Sequence, residues 1–297
     1  MPFSLTPARV GVLMALGAIS GWSFNFFFSR ALAGVLPPFT FTLLRTVVAL
    51  IAFAPFALGA FIRCWPYLCK RPVFYIFLSL TGIGYYNALI YTAGQTTPVI
   101  NMALLALSSP VFTLALARIL YNEPLPYRRL FGLATALCGV TLLVARGDLG
   151  LLKTLSFHTG DFLMLTGAFI FASYSVSLRR IDPEVSSYGF IYTMFVVSFV
   201  FLLPFAGWEL ARGMTVDFTP MAVAGILYLG IVASIFCYIC WNGAIARIGS
   251  GNVALIYYTM PFFSGMEAVL LLGEPLRWFH FASGALIIAG VLVATRR

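Results

Sequence analysis

Ten apolar runs, each long enough to cross a lipid bilayer, dominate this sequence. A membrane-spanning helix needs about 20 mostly apolar residues. Windows of that length have the approximate bounds 8–29, 38–60, 73–93, 98–118, 129–146, 160–179, 187–207, 219–241, 252–272 and 279–295. Charged residues make up 9% of the chain, against about 25% in soluble domains. The pattern predicts an all-α integral membrane protein with ten transmembrane helices and no folded soluble domain.

Basic residues divide unequally between the two sides of the predicted bundle. If the N-terminus is cytoplasmic, twelve of the 18 Lys and Arg residues lie on the cytoplasmic side, five lie outside, and Arg45 lies within the second span. Because Lys and Arg concentrate in cytoplasmic connections, this count predicts that both termini are cytoplasmic. It also accounts for the net charge of +9 without a nucleic-acid partner. The chain has no N-x-[ST] sequon, and we expect a bacterial inner membrane.

The second half of the sequence repeats the first at an offset of 151 residues. The aligned positions that chance explains least are Asn101 with Asn252, Pro110 with Pro261, and Glu123-Pro124-Leu125 with Glu274-Pro275-Leu276. Each half holds five spans, and because five is odd, the second half starts from the opposite side of the membrane. We therefore predict two inverted five-helix repeats around a central cavity, over residues 1–150 and 151–297. Inverted repeats are typical of transporters; an old duplication without functional symmetry is the alternative.

These features resemble the drug/metabolite transporter superfamily, in particular its EamA-type exporters. The resemblance covers the whole chain, through ten spans in two repeats, Leu44-Arg45 in the second span and Gly273-Glu274-Pro275 after the ninth. The first copy of the last motif reads Tyr121-Asn122-Glu123-Pro124, without the glycine. The aromatic-rich helices are similar to those of YddG-type amino-acid exporters. The resemblance implies export of small metabolites by alternating access, through a cavity lined by helices 1–4 and 6–9, with helices 5 and 10 at the periphery.

Motifs of other function classes are missing from the sequence. It contains no G-x-x-x-x-G-K-[ST] phosphate-binding loop, no H-E-x-x-H, and only two histidines, so we expect neither an ATPase nor a metal or cofactor enzyme. The prediction is a secondary exporter of small amphipathic metabolites, amino acids above all, including aromatic ones. Its partners would be that small-molecule substrate and the lipid bilayer, and a monomer would suffice. A passive channel and a non-transporting membrane scaffold or enzyme remain the alternatives.

Two charged side chains, Arg45 and Glu267, lie inside the predicted spans. A charge retained in the hydrocarbon is costly and is functional by default. Counting ~1.5 Å per residue from the span ends places both at comparable depth, so they could pair with each other. Alternatively, the planar guanidinium of Arg45 could bind a substrate carboxylate. The third interpretation is a structural ion pair with no role in substrate binding. We favour the interpretation in which Arg45 faces the cavity and gives the cavity a positive electrostatic potential.

Polar and aromatic residues on the other spans are further candidates for the cavity wall. Spans 4 and 9 each carry a polar stripe at helical spacing, and amides and hydroxyls point into a bundle rather than into lipid. A tyrosine offers an apolar ring and a hydroxyl, which suits amphipathic metabolites. The candidate set is Arg45, Tyr86, Asn87, Tyr91, Asn101, Ser108, Tyr174, Ser177, Tyr192, Asn252, Thr259, Phe263 and Glu267. The sequence leaves open whether the two polar stripes contact substrate or only each other. Pro110 and Pro261 predict kinks near the middle of these two spans.

Overall fold

The computed structural model describes residues 6–97, 99–145, 148, 150, 158–263 and 278–295, and its regular structure in these ranges is entirely helical. The α-helices are α1 Pro7–Ala31, α2 Pro38–Leu68, α3 Pro72–Ser79, α4 Tyr85–Gly94, α5 Val99–Ala106, α6 Ser109–Tyr121, α7 Tyr127–Val144, α8 Thr159–Ser177, α9 Ser187–Ala211, α10 Pro220–Tyr228, α11 Cys237–Ile248, α12 Ser250–Ile256 and α13 Trp278–Thr295. Two π-helical segments, Leu80–Gly84 and Leu229–Phe236, join α3 to α4 and α10 to α11. Short 3-10 turns follow α8 and α12, at Leu178–Arg180 and Tyr257–Thr259.

Proline in the first turn begins several of the long helices. Pro7, Pro38 and Pro220 occupy the first helical positions, where a missing N–H costs no intrahelical hydrogen bond. Thr6 and Thr219 precede two of them, and their hydroxyls accept hydrogen bonds from the backbone three residues on. These helices therefore begin within the short connections between the apolar runs.

Eight helical stretches are long and apolar enough to cross a membrane. They are Pro7–Ala31, Pro38–Leu68, Pro72–Gly94, Leu104–Tyr121, Thr159–Arg180, Ser187–Ala211, Pro220–Ile248 and Trp278–Thr295. The predicted fifth span is present as α7, an 18-residue helix that starts with a basic turn and is not among the eight. The predicted ninth span, 252–272, begins within α12, and its residues from 264 onward lie outside the described ranges. A helical membrane protein is therefore confirmed, and the count of ten spans stays a prediction.

Most of the basic residues in the described ranges lie at one end of the molecule, where ion pairs join the ends of neighbouring helices. Arg71 pairs with Asp182 at 3.4 Å, which joins the end of α2 to the α8–α9 connection. Arg179 pairs with Glu123, which joins the ends of α8 and α6. We call this the basic end. In the described ranges it carries Arg9, Arg63, Lys70, Arg71, Arg118, Arg128, Arg129, Arg179, Arg180 and Arg247, and the opposite end carries Arg30 and Arg212.

Three helix pairs pack along much of their length: α2 with α9, α1 with α11, and α7 with α13. The last pair is the closest, because Gly132 and Gly290 face each other's backbone: a Cβ built on Gly132 would lie 2.5 Å from the Gly290 carbonyl oxygen. Small residues permit such close approach between helices in lipid. Because α7 and α13 pack chiefly on each other, the centre of the bundle is built by the remaining helices.

The two π-helical segments occupy positions that the 151-residue offset relates. Moved by that offset, residues 80–84 fall on 231–235, inside the segment Leu229–Phe236. A π-helical turn accommodates one extra residue in an α-helix and occurs frequently at functional sites. Both halves of the chain therefore carry the same irregularity in the third of their five predicted spans.

A second matched irregularity interrupts the fourth predicted span of each half. Helix α5 ends at Ala106 and α6 begins at Ser109, and the 3-10 turn Tyr257–Thr259 interrupts the helix after α12. Pro110 and Pro261 stand just after these breaks. Proline removes a backbone donor and crowds the preceding turn, so the kinks predicted from the prolines are present as short interruptions.

Candidate substrate site

Arg45 lies inside the bundle on α2 and is 1% exposed. Its Nη1 donates hydrogen bonds to Asn87 Oδ1, at 2.9 Å, and to the Tyr91 hydroxyl. Its Nε and Nη2 donate to Ser234 Oγ at 3.3 and 2.9 Å. Asn87 and Tyr91 lie on α4, directly after the first π-helical segment, and Ser234 lies in the second. The guanidinium therefore connects equivalent helices from the two halves of the sequence.

In the described ranges, the side chains that accept hydrogen bonds from Arg45 are all neutral. Amide and hydroxyl oxygens satisfy N–H donors, but they do not cancel the charge, and a buried cation is costly. In the described ranges the ion pairs lie at the basic end instead, where Glu123 and Asp182 are the carboxylates. The predicted partner Glu267 lies outside these ranges, so that pairing stays a prediction. As far as the structure describes it, the site holds one uncompensated positive charge.

One edge of the Arg45 guanidinium is held by a single hydroxyl. Nε and Nη2 present two parallel N–H groups, and a carboxylate can accept both through its two oxygens. Here both donors share Ser234 Oγ, whose own proton goes to the Leu229 carbonyl at 2.7 Å. A carboxylate that displaced Ser234 would form two charge-assisted hydrogen bonds in place of one shared neutral acceptor, so this edge is the chemically favoured place for an anion.

Further hydrogen bonds hold the partners of Arg45 in place. The Tyr91 hydroxyl donates to Asn25 Oδ1 on α1 at 3.0 Å. The Asn87 amide donates to the Ile83 carbonyl, within the first π-helical segment, at 2.9 Å. These bonds leave the Asn87 carbonyl oxygen directed at the guanidinium, and they tie α1, α2 and α4 into one buried polar network.

Seven aromatic side chains fill the centre of the bundle beside this network. We call them the aromatic cluster, and they are Trp22, Tyr86, Phe171, Tyr174, Tyr238, Trp241 and Tyr257. Ring centroids of neighbouring members lie between 4.8 and 6.2 Å apart. Trp22 donates to the Ala233 carbonyl at 2.8 Å, and Tyr238 donates to the Gly82 carbonyl. Since Ala233 precedes Ser234 in the chain, the cluster adjoins the Arg45 site directly.

A cavity of about 730 Å³, here called the vestibule, opens at the basic end. Its lining includes Met14, Arg179, Asp182, Tyr188, Asn242 and Arg247. Asn242 also accepts a hydrogen bond from Tyr174 of the aromatic cluster at 2.7 Å. Along the eighth predicted span, away from the basic end, Asn242, Tyr238 and Ser234 follow one another. The vestibule, the aromatic cluster and the Arg45 site therefore lie in this order along the bundle.

The structure brings several of the predicted site residues together. Asn87 and Tyr91 bind Arg45, and Tyr86 and Tyr174 belong to the aromatic cluster. Thr259 is buried in the 3-10 turn that contains Tyr257, and its hydroxyl donates to the backbone. Asn87 and Tyr91 therefore contact Arg45 directly, and Tyr86 and Tyr174 lie in the adjoining aromatic cluster.

Two other predicted site residues, Asn252 and Tyr192, make contacts away from Arg45 and the aromatic cluster. Asn252 accepts a hydrogen bond from Arg129 at 3.2 Å at the basic end, and Tyr192 packs on Phe61 of α2, with ring centroids 5.5 Å apart. The remaining positions are Asn101, buried on α5; Ser108, in the break before α6; Ser177, half-buried at the end of α8; Phe263, half-buried; and Glu267, outside the described ranges. The interruptions in spans 4 and 9 divide both predicted stripes, so neither forms one straight helical face.

Asn25, Ser234 and Glu209 are among the buried polar residues that the sequence reasoning missed. Glu209, 3% exposed, accepts hydrogen bonds from the backbone N–H groups of Phe39 and Thr40 at 3.0 and 2.7 Å. It thereby caps α2, whose own N-cap residue offers no side-chain acceptor. The absence of an acceptor before α2 was the available signal for a carboxylate from elsewhere.

The fold and site together define a class of protein. A helical membrane protein with a buried cation at its centre and a vestibule at one end has the organisation of a transporter. The EamA-like transporter family matches residues 9–145 and, a second time, residues 158–296. The chain therefore belongs to the EamA-like transporter family, within the drug/metabolite transporter superfamily, and it is a transporter and not an enzyme.

Related sequences carry transporter names. The uncharacterized transporter YyaM of Bacillus subtilis (strain 168) is 30% identical over 232 residues, which cover 77% of this chain and 74% of YyaM. A probable terminal-alkyne amino-acid exporter of Streptantibioticus cattleyicolor is 27% identical over 220 residues, which cover 73% of this chain and 71% of the exporter. A probable amino-acid metabolite efflux pump of Salmonella typhimurium is 29% identical over 192 residues, which cover 61% and 62% of the two chains.

A solved crystal structure has the same fold. It superposes with a TM-score of 0.76 and covers 96% of both chains at 19% sequence identity. At that identity the likeness concerns the fold alone, and it extends over nearly the whole chain.

Proposed function

We propose that this protein is a secondary transporter that exports small amphipathic metabolites bearing a carboxylate, amino acids above all, including aromatic ones. The observation that carries the proposal is the buried Arg45, held by neutral partners beside the aromatic cluster. A carboxylate would take the Nε–Nη2 edge, and an apolar or aromatic part of the same molecule would pack among the rings. The names of two relatives, an amino-acid exporter and an amino-acid metabolite efflux pump, support this substrate class.

Alternating access explains how a substrate passes a centre that is filled by side chains. In this conformation the aromatic cluster separates the vestibule from Arg45, so the rings must part for a substrate to advance. The interrupted helices supply the flexibility, because π-helical turns and proline breaks weaken the regular hydrogen-bond ladder. Their matched positions, and the two matches to one family, support two inverted repeats over residues 1–150 and 151–297.

The distribution of basic residues supports a cytoplasmic vestibule. In the described ranges ten Lys and Arg residues lie at the basic end and two at the opposite end, and such an excess marks the cytoplasmic side. Both termini would then lie in the cytoplasm of a bacterial inner membrane. The vestibule at that end would admit substrate from the cytoplasm, which is the direction that export requires.

Counterflow in proteoliposomes tests the proposal. Vesicles loaded with an unlabelled amino acid would take up the labelled compound transiently above equilibrium, because a carrier exchanges substrate across the membrane. Empty liposomes and an Arg45→Ala variant serve as controls. A panel of amino acids and uncharged analogues defines the substrate class. If unlabelled substrate inside the vesicles does not stimulate uptake of the labelled compound, the protein is a passive channel. If the vesicles take up none of the carboxylates on the panel, the proposed substrate class is wrong.

A further inference from the structure

We propose that a second, smaller cavity at the basic end binds the headgroup of an anionic phospholipid. This cavity, here called the headgroup pocket, has a volume of about 340 Å³ and lies between the α6–α7 connection, the start of α12 and the end of α13. Its polar lining consists of Glu123, Arg128, Arg129, Arg179, Asn252 and Thr295. The inference is independent of which substrate the protein transports.

The charges of the headgroup pocket favour an anion. Three guanidinium groups face one carboxylate, which leaves a formal charge of +2. Glu123 pairs with Arg179 and lies 4.0 Å from Arg129, and Arg129 also donates to Asn252. Arg129 and Arg179 each have five N–H donors, so their contacts with Glu123, Asn252 and the Pro124 carbonyl leave donors for a phosphate. The side chains of Arg129 and Arg179 are 18% and 38% exposed, so both are held in place and reachable.

The surroundings of the headgroup pocket favour a lipid over a dissolved anion. The pocket is bounded by α7 and α13, which pack chiefly on each other rather than on the central helices. Within two helical turns of its lining residues, α7 exposes Leu130 and Phe131 by 45% and 67%, and α13 exposes Ile288 and Leu292 by 50% and 59%. A phosphate in the pocket would therefore sit above an apolar surface that accepts acyl chains. Basic pockets beside transmembrane helices at the membrane surface bind anionic headgroups in this way.

Retention of defined lipids by the purified, delipidated protein tests the inference. Phosphatidylglycerol and phosphatidylcholine with identical acyl chains are added in detergent, and bound lipid is counted by native mass spectrometry. Arg128→Gln removes an exposed charge of the pocket, and Arg63→Gln removes an exposed charge at the same end on α2, outside it. We expect wild type to retain phosphatidylglycerol in preference to phosphatidylcholine, Arg128→Gln to bind it about fivefold more weakly, and Arg63→Gln to match wild type.

A gain-of-binding variant and a soluble competitor sharpen the test. Glu123→Gln removes the one carboxylate of the pocket and should raise phosphatidylglycerol retention. If that variant fails to fold, the comparison of Arg128→Gln with Arg63→Gln decides alone. Equal retention of the two lipids by wild type, or equal loss in the two arginine variants, would overturn the inference. Displacement of phosphatidylglycerol by millimolar glycerol 3-phosphate or inorganic phosphate would identify a site for dissolved anions and would also overturn it.

Discussion

Ser234 is the one acceptor for two N–H groups of Arg45. Ser234→Ala leaves these donors without that acceptor in a buried site, and an unsatisfied buried donor costs roughly 1–3 kcal/mol. We expect a lower thermal midpoint of the purified protein in detergent. Ser173→Ala is the matched control, because the Ser173 hydroxyl donates to the Phe169 carbonyl of its own helix rather than to a buried cation. Equal midpoints for the two variants would show that Ser234 does not hold Arg45.

Glu209 supplies the cap that α2 lacks. Glu209→Gln keeps the size of the side chain but removes the charge that faces the backbone N–H groups of Phe39 and Thr40. Glutamine keeps one acceptor oxygen but places an NH2 donor against the other N–H, so part of the roughly 0.5–2 kcal/mol of an N-cap is lost, together with the interaction of the charge with the helix dipole. Thermal unfolding should show a lower midpoint than for Glu184→Gln, an exposed control. No difference between the two would contradict the capping role.

At the scale of residues, the sequence could predict the buried charge but not all of its surroundings. Arg45 stood out because cations are rare in apolar spans, and Asn87 and Tyr91 because they are polar and share a helical face. Ser234 and Asn25 gave weaker signals, since single small polar residues are frequent in spans and their partners lie on other helices. Which polar groups meet depends on distances between helices, and periodicity along one helix does not supply those distances.

At the scale of elements, the first π-helical segment is packed too tightly to accept a side chain. A Cβ on Gly82 would lie 2.8 Å from a ring atom of Tyr174 and 2.5 Å from Met194 Cε. Overpacking of this kind costs roughly 1–3 kcal/mol, so Gly82→Ala should lower the thermal midpoint and slow transport. Gly207→Ala is the control, because nothing lies within 4 Å of its added Cβ. A Gly82→Ala variant with wild-type stability and transport would contradict this packing.

Hydropathy located most of the helices but could not show how they are interrupted. The apolar windows match the long helices within several residues, and proline chemistry indicated the breaks before Pro110 and Pro261. The π-helical segments were not predictable, because Leu80–Gly84 and Leu229–Phe236 are as apolar as regular transmembrane helix. Their matched positions appear only once backbone hydrogen bonds are known.

At the scale of the whole molecule, the orientation is testable by labelling from each side of the membrane. In a variant lacking the five native cysteines, Lys70→Cys at the basic end should react only from the cytoplasm. Thr215→Cys, in the exposed connection after α9, should react only from outside. The reason is the excess of Lys and Arg at the basic end. Reaction of Thr215→Cys only from the cytoplasm would reverse the orientation.

The overall organisation was more predictable than the centre of the molecule. Repeated Asn, Pro and Glu-Pro-Leu motifs indicated two related halves, and the family matches each half in turn. The aromatic cluster was only partly foreseen, through Tyr86 and Tyr174. Trp22, Phe171 and Tyr238 come from three different spans, and an aromatic residue in an apolar run does not reveal whether it faces lipid or the bundle centre.

The most direct test of the central claim compares one aromatic amino acid with its amide, which lacks the carboxylate, in wild-type and Arg45→Lys proteoliposomes. Lysine keeps the positive charge but loses the two parallel donors of the guanidinium. We expect wild type to transport the amino acid at least about tenfold faster than the amide, a preference of the size that a charge-assisted hydrogen bond gives. Arg45→Lys should be stably folded and lose that preference. An unchanged preference and rate in Arg45→Lys would contradict recognition of the substrate carboxylate by Arg45.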